Sequence, residues 1–272
     1  GSEMCIRDRC VMGLSKLEVN FFFKTIAAAA VLGMVIYGLR ALGLPVDTGI
    51  AAISALMVLV PGLVFTNFMC DLITGDMVSG LSTFVRAVLT ATAIAIGTGV
   101  ALGLFQTLGL AAEGVGNRED YGAVLQCLAA FLACSGFCVM YNVHGWGVVL
   151  CCLGGALGWA VYLAMGMVTG SIYLRYLVAG IAIAAYAEAM ARVRKYPITA
   201  YLVVSFFPLV PGSYIYYAMY YAIQGQRQLF LESGIQALGL ASCLAIGTLL
   251  VSTTVRTCVT WRRERRMKRD TL

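Results

Sequence analysis

The chain has 272 residues, 61% of them hydrophobic and 12% charged, with a mean hydropathy of +0.87. Soluble domains carry about 25% charged residues, so this composition excludes an ordinary soluble protein and implies an integral membrane one. The net charge of +6 does not call for a nucleic-acid partner, because seven of the 19 basic residues lie between Arg256 and Arg269, behind the last apolar stretch.

The opening run Gly1-Ser2-Glu3-Met4-Cys5-Ile6-Arg7-Asp8-Arg9 resembles translated sequencing-adapter readthrough. Residues 1–20 are therefore set aside as a non-native or cytoplasmic lead-in. On that reading the natural chain begins further upstream. A bilayer-spanning helix needs about 20 mainly apolar residues, and the pattern predicts eight: 21–44, 49–73, 81–104, 121–141, 147–168, 172–191, 198–223 and 234–256. The expected fold class is all-α, a polytopic membrane protein. Three crossings fill a first region, 21–110, and five a second, 121–258, with a polar linker at 111–120 and a basic tail at 259–272.

Excess Lys and Arg mark the cytoplasmic side. The tail is thus expected inside, and eight crossings place the amino terminus inside as well. Arg192, Arg194 and Lys195 fall on the same side, whereas the loop carrying Glu113, Arg118, Glu119 and Asp120 has net charge −2 and falls outside. Beside Trp261, the basic cluster suits anionic headgroups.

Leu59-Val60-Pro61-Gly62 recurs as Leu209-Val210-Pro211-Gly212, 150 positions later, and the register holds through Gly75/Gly225 to Gly97-Thr98/Gly247-Thr248. Of the 40 positions from Leu59 to Thr98, 14 are identical to their partners. The copies stand five crossings apart, an odd number, so they are expected to run in opposite directions through the bilayer. By the same logic the first half lacks two helices. Each copy carries a Pro-Gly pair midway along its apolar segment, and proline breaks a helix where no water can satisfy the freed backbone groups. Matched breaks in two halves are a pointer to a transporter's binding site.

Asn67 and Asp71 follow the first break at i and i+4, on one helical face. Ser213, Tyr216, Tyr217, Tyr220 and Tyr221 follow the second. Free N–H groups at a restarting half-helix suit a carboxylate, and free carbonyls at a half-helix end suit an ammonium. The expected ligand is a small zwitterion or carboxylate. For the tyrosines, an aromatic belt or plain helix packing is the competing reading and stays open. Pro61, Gly62, Asn67, Asp71, Pro211, Gly212, Ser213 and Tyr217 are the candidate substrate contacts, with Thr98, Thr248 and Asp76 as secondary groups. Asp71 is also the best candidate for a proton carrier, though a pairing with Arg86 would give it a structural role, as Arg192 would give Glu188.

The ten cysteines include no CxxC pair, and the single histidine, His144, has no second ligand at metal spacing. Cys127, Cys134, Cys138, Cys151, Cys152 and Cys243 lie inside apolar segments and read as small apolar helix fillers, and no metal or cofactor is expected. Without an HExxH motif or paired intramembrane carboxylates, an enzyme is not expected either.

Leu59-Val60-Pro61-Gly62 with Asn67, Asp71 and Gly75-Asp76 resembles the end of the amino-terminal region of the threonine/serine exporter family. Gly136-Phe137, Tyr141-Asn142-Val143, Gly154-Gly155 and Pro208-Leu209-Val210-Pro211-Gly212-Ser213 resemble its carboxy-terminal region. The resemblance covers about 20–258. It adds Asn142 to the candidate contacts and implies a bacterial inner-membrane exporter of threonine and serine driven by the proton motive force. Split forms of the family imply a dicarboxylate such as succinate as the alternative cargo, and a channel or scaffold subunit is the remaining one. Set against that family, the resemblance implies that a cytoplasmic domain and two further helices are missing from the front of this sequence. Partners implied are the small-molecule substrate, protons and the bilayer, with a homo-oligomer left open.

Overall fold

A computed structural model of the chain describes residues 20–42, 64, 67–68, 71, 75–108 and 122–270. All regular structure among the described residues is helical. The helices are α1 (Phe21–Ala41), α2 (Met77–Thr107), α3 (Ala123–Met140), α4 (Trp146–Val168), α5 (Ile172–Arg194), α6 (Ile198–Phe206), α7 (Gly212–Ile223) and α8 (Arg227–Asp270), with a 3-10 turn at Phe207–Leu209 between α6 and α7. Six are long and apolar enough to cross a membrane, and α6 with its 3-10 turn plus α7 makes a seventh if that bent pair is one span. The chain is a multi-pass membrane protein. The expected second crossing, with Pro61 and Gly62, lies largely outside the described residues.

The seventh crossing is interrupted at its Pro-Gly pair, as the sequence pattern predicts. The last helix departs furthest from that pattern. The eighth begins at Arg227 and continues through the basic tail to Asp270, 44 residues in all. Arg and Lys are good helix formers, and at 1.5 Å per residue such a helix is about 66 Å long, against a hydrocarbon core of about 30 Å. It therefore outruns the bilayer.

The chain divides into two compact units. In the first, α1 packs along α2, and α7 packs on α2. Gly97 makes the α1–α2 approach possible: a Cβ there would collide with the Ile26 carbonyl and come within 2.8 Å of Ala29 Cβ and 2.9 Å of the Ala30 nitrogen. Lipid tails are as apolar as leucine, so close van der Waals packing rather than water exclusion holds such pairs.

In the second unit α4 is the central helix, in contact with α3, α5, α6 and the 3-10 turn. Its glycines are where the neighbours come in. A Cβ on Gly154 would strike Ser205, one on Gly155 would strike Cys134, and one on Gly158 would strike Ile183. Cys134, Cys138, Cys151, Cys152, Ala187, Tyr201 and Val204 form a buried core there. The thiols fill space and make weak donor contacts, Cys134 Sγ to the Val204 carbonyl at 3.5 Å and Cys151 Sγ to that of Ala200 at 3.7 Å. Ser205 Oγ donates to the Cys151 carbonyl at 3.2 Å, and the Tyr186 hydroxyl to that of Leu150 at 2.8 Å. The half-helix α6 is thereby tied to α3 and α4 by side-chain hydrogen bonds as well as by packing.

Candidate functional site

The second Pro-Gly pair interrupts the helix, and the backbone angles show how. Phe206 and Phe207 are still helical, Val210 turns extended at φ −61°, ψ 127°, and Pro211 sits at φ −74°, ψ 43° before α7 restarts at Gly212. Proline has no N–H to continue the ladder, and the residue before it is pushed out of the helical region. The Val210 amide closes the first half by donating to the carbonyls of Phe206 (3.1 Å) and Phe207 (3.3 Å). Leu209, Val210, Pro211 and Gly212 are all buried.

At the restart the N-cap is Pro211, which brings no side-chain hydrogen bond. Asn, Asp or Ser at that position would satisfy the first-turn amides. Here Gly212 and Ser213 begin a 12-residue half-helix with no capping side chain. Pro211 O does accept from the Ile215 amide at 3.3 Å, so the helix proper is engaged from its first turn.

Downstream, the tyrosines of α7 stack in two rows. Tyr216 and Tyr220 are parallel at 6.2 Å, and Tyr217 and Tyr221 at 6.0 Å. Edge contacts of 5.6 Å (Tyr216–Tyr217) and 5.7 Å (Tyr220–Tyr221) link the rows. The i, i+4 spacing accounts for the stacking. Ser213 shares the Tyr217 face one turn earlier. All five side chains are half-buried.

The other sequence-derived candidates fall as follows. Asn67 and Asp71 are helical, Asn67 exposed and Asp71 half-buried, while Pro61 and Gly62 lie outside the described residues. Asp76 precedes α2, and its Oδ1 accepts from the Ser79 amide at 3.2 Å, an N-cap bond. Thr98 Oγ1 donates to Ile94 O at 2.9 Å and Thr248 Oγ1 to Leu244 O at 2.8 Å, so both hydroxyls are bonded within their own helices. Asn142 lies exposed in the α3–α4 turn at φ 56°, a left-handed conformation that asparagine tolerates better than most residues. Its carbonyl accepts from His144 Nδ1 at 2.8 Å. The expected Glu188–Arg192 pair is present at 3.3 Å.

One aromatic contact was not legible in the sequence. Tyr37 of α1 packs its ring 5.8 Å from Phe105 of α2, the helix on which α7 also packs. A lone tyrosine near the end of an apolar span gives no signal of that contact.

Among the described residues no group of three or more His, Cys, Asp or Glu is arranged to hold a metal ion. No match was found among curated proteins or among solved structures. Family models do match: residues 126–254 fit the one described as threonine/serine exporter, ThrE, and residues 5–105 fit the companion threonine/serine exporter model. The second match begins inside the stretch that the sequence reading set aside. Such families are transporters of small molecules across membranes and not enzymes, and with both regions present in order, this chain belongs to the threonine/serine exporter family.

Proposed function

We propose that the protein exports small amino acids, threonine and serine first among them, from the cytoplasm of a bacterial cell, with the proton motive force as the energy source. The observation that carries this reading is the helix broken at Pro211-Gly212 within a repeat whose partner bears the same four residues. Amides at the uncapped start of α7 are donors for a substrate carboxylate, and the positive end of the half-helix dipole favours an anion there. Asn67, Asp71, Ser213 and Tyr217 supply further polar groups, and Asp71 is the group assigned to the proton. Rocking of one sequence repeat against the other about the Pro211-Gly212 break gives alternating access. Both termini are assigned to the cytoplasm from the placement of Lys and Arg.

Counterflow in proteoliposomes tests the carrier reading. Unlabelled threonine inside the vesicles is expected to drive transient, saturable accumulation of labelled threonine. Linear flux without counterflow would indicate a channel, and no flux a scaffold; either result overturns the proposal. Asp71→Asn is expected to abolish the stimulation of export by an imposed pH gradient while counterflow persists.

A further inference from the structure

Phe137, Tyr141, Gly154, Gly155 and Pro208, all singled out by the sequence, have no part in the site described above, yet they meet at the end of α6. Phe137 of α3 stacks on the ring of Phe207 in the 3-10 turn, and Tyr141 lies 6.2 Å from the same ring. From the other side α4 offers three glycines. A Cβ on Gly154 would strike Ser205, one on Gly155 would come within 3.5 Å of Pro208 Cγ, and one on Gly158 within 3.6 Å of Leu209 Cδ1. Ser205 is fully buried and donates its hydroxyl to the Cys151 carbonyl at 3.2 Å. Val204 stands four residues before Pro208, which has no N–H for its carbonyl, so the Phe207 amide and the Cys134 thiol serve it instead. Sliding α6 along α4 would set Leu153, Ala156 or Leu157 where these side chains now meet glycine. Lifting it would strand the Ser205 hydroxyl where no water is at hand. The chain just beyond is built differently. The Val210 amide closes the ladder of α6 and the Pro211 carbonyl opens that of α7, so neither residue is bonded into both. α7 packs on α2, and the division of the chain into two units falls between Val210 and Pro211.

We propose that Phe137, Gly154 and Ser205 are positioning residues of the exporter, which keep α6 and its 3-10 turn seated on α3 and α4 throughout the transport cycle while the backbone at Val210–Pro211 takes up the motion. This rests on the exporter reading above and deepens it, by assigning which half of the broken span stays still. An interlocked interface has discrete settings rather than a continuous range, so rotation concentrates at the few residues outside it. The ψ angle of Val210 lies between the last bond of one ladder and the first of the other. It can turn without breaking either, within the extended range that a residue before proline allows.

The test is a disulfide lock across the seat. A Cβ on Gly154 would lie 3.0 Å from Ser205 Cβ, close to the roughly 3.5–4.5 Å that a disulfide spans, so G154C/S205C can be bridged with a small shift. Mass spectrometry reads the bridge, and threonine counterflow is measured on the same proteoliposomes, oxidised and then reduced. Oxidation ties α6 to α4 and is expected to leave the exchange rate at or above its reduced value. Exchange that stops on oxidation and returns on reduction overturns this inference and leaves the exporter reading standing. Ser205→Ala is the second measurement, and it decides the matter where the double variant is inactive in both states. With its anchor removed α6 can follow α7, so kcat for counterflow should fall by on the order of tenfold, as loss of one buried hydrogen bond allows. Threonine KM should stay at its wild-type value. Ser205→Cys keeps a weak donor and should recover part of the rate. Unchanged kcat in Ser205→Ala, or a rise in KM alone, overturns the inference. Wild-type chain that exchanges no threonine overturns the exporter reading and this inference together.

Discussion

Gly97 and Gly247 stand 150 positions apart and occupy the same place in their respective helix pairs. A Cβ on Gly97 would meet the Ile26 carbonyl, Ala29 Cβ and the Ala30 nitrogen; one on Gly247 would meet the Leu177 carbonyl at 3.0 Å, the Ile181 nitrogen at 3.1 Å and the Gly180 carbonyl carbon at 3.3 Å. The contacted backbone segments, one in α1 and one in α5, are themselves 151 positions apart. Thr98 and Thr248 then bond back to Ile94 and Leu244, again 150 apart. The duplication detectable from Leu59 to Thr98 thus reaches in packing to α1 and α5, where residue identity shows no repeat.

Substituting either crossing glycine should separate its pair. Gly97→Leu and Gly247→Leu are each expected to cost about 1–3 kcal/mol, the usual range for an overpacked contact. Thermal unfolding in detergent would show a lower Tm for both. Gly136→Ala in α3, where a Cβ meets nothing within 4 Å, should leave Tm unchanged or raise it. Equal behaviour of all three would remove the crossing role.

Asp76 is expected to act on stability through its cap. Asp76→Ala removes the acceptor of the Ser79 amide and should cost about 0.5–2 kcal/mol. Asp76→Asn retains a capping oxygen and should restore most of that stability. Transport that falls in both variants, with stability intact in Asp76→Asn, would instead place the carboxylate in the substrate or proton path.

Arg175 is a charged residue at a membrane end, and its partners are main-chain carbonyls. Its Nε and one terminal nitrogen donate to Thr169 O at 3.0 and 2.9 Å, and the same terminal nitrogen lies 3.4 Å from Gly166 O. It thereby closes the C-terminus of α4, the negative end of that helix. Arg175→Met should destabilise by about 1.5–3 kcal/mol, as loss of charged hydrogen bonds does. Gly166→Val should mimic it in part, because a Cβ there would crowd the guanidinium at 3.1 Å. Threonine KM is expected to stay at its wild-type value in both, and a shifted KM with an unchanged Tm would refute the structural assignment.

What could be read beforehand follows from which physics is local. Hydrophobic length placed α1 and α3 to α5 within a few residues, because the bilayer sets that length. Pro211 announced its own break, since a missing N–H is a property of one residue. The positive φ of Gly75 (90°) and Gly225 (72°) likewise suits their matched positions in the repeat. The contact of Tyr37 with Phe105 could not be foreseen, because it depends on how α1 packs along α2. The hydroxyls of Thr98 and Thr248 looked available in sequence, but a mid-helix threonine satisfies itself on the carbonyl four residues back. Asn142 carried a family motif, and the αL turn it occupies is a sufficient local reason for its residue type.

Gly212→Leu addresses the break directly. Gly212 is buried at the first position of α7, immediately after a proline that cannot cap it. A leucine side chain there would occupy the space in front of the first-turn amides, where a substrate carboxylate would bind. Helical propensity favours leucine over glycine by about 1 kcal/mol, so α7 itself has no local reason to unfold. The expected outcome is full loss of threonine counterflow with normal protein level in the membrane and Tm within a few degrees of wild type. Gly212→Ala, with a single methyl, should retain part of the activity at a raised KM. Normal exchange by the leucine variant would show that substrate does not pass the second break, and the amides at the start of α7 would lose their assigned part in binding.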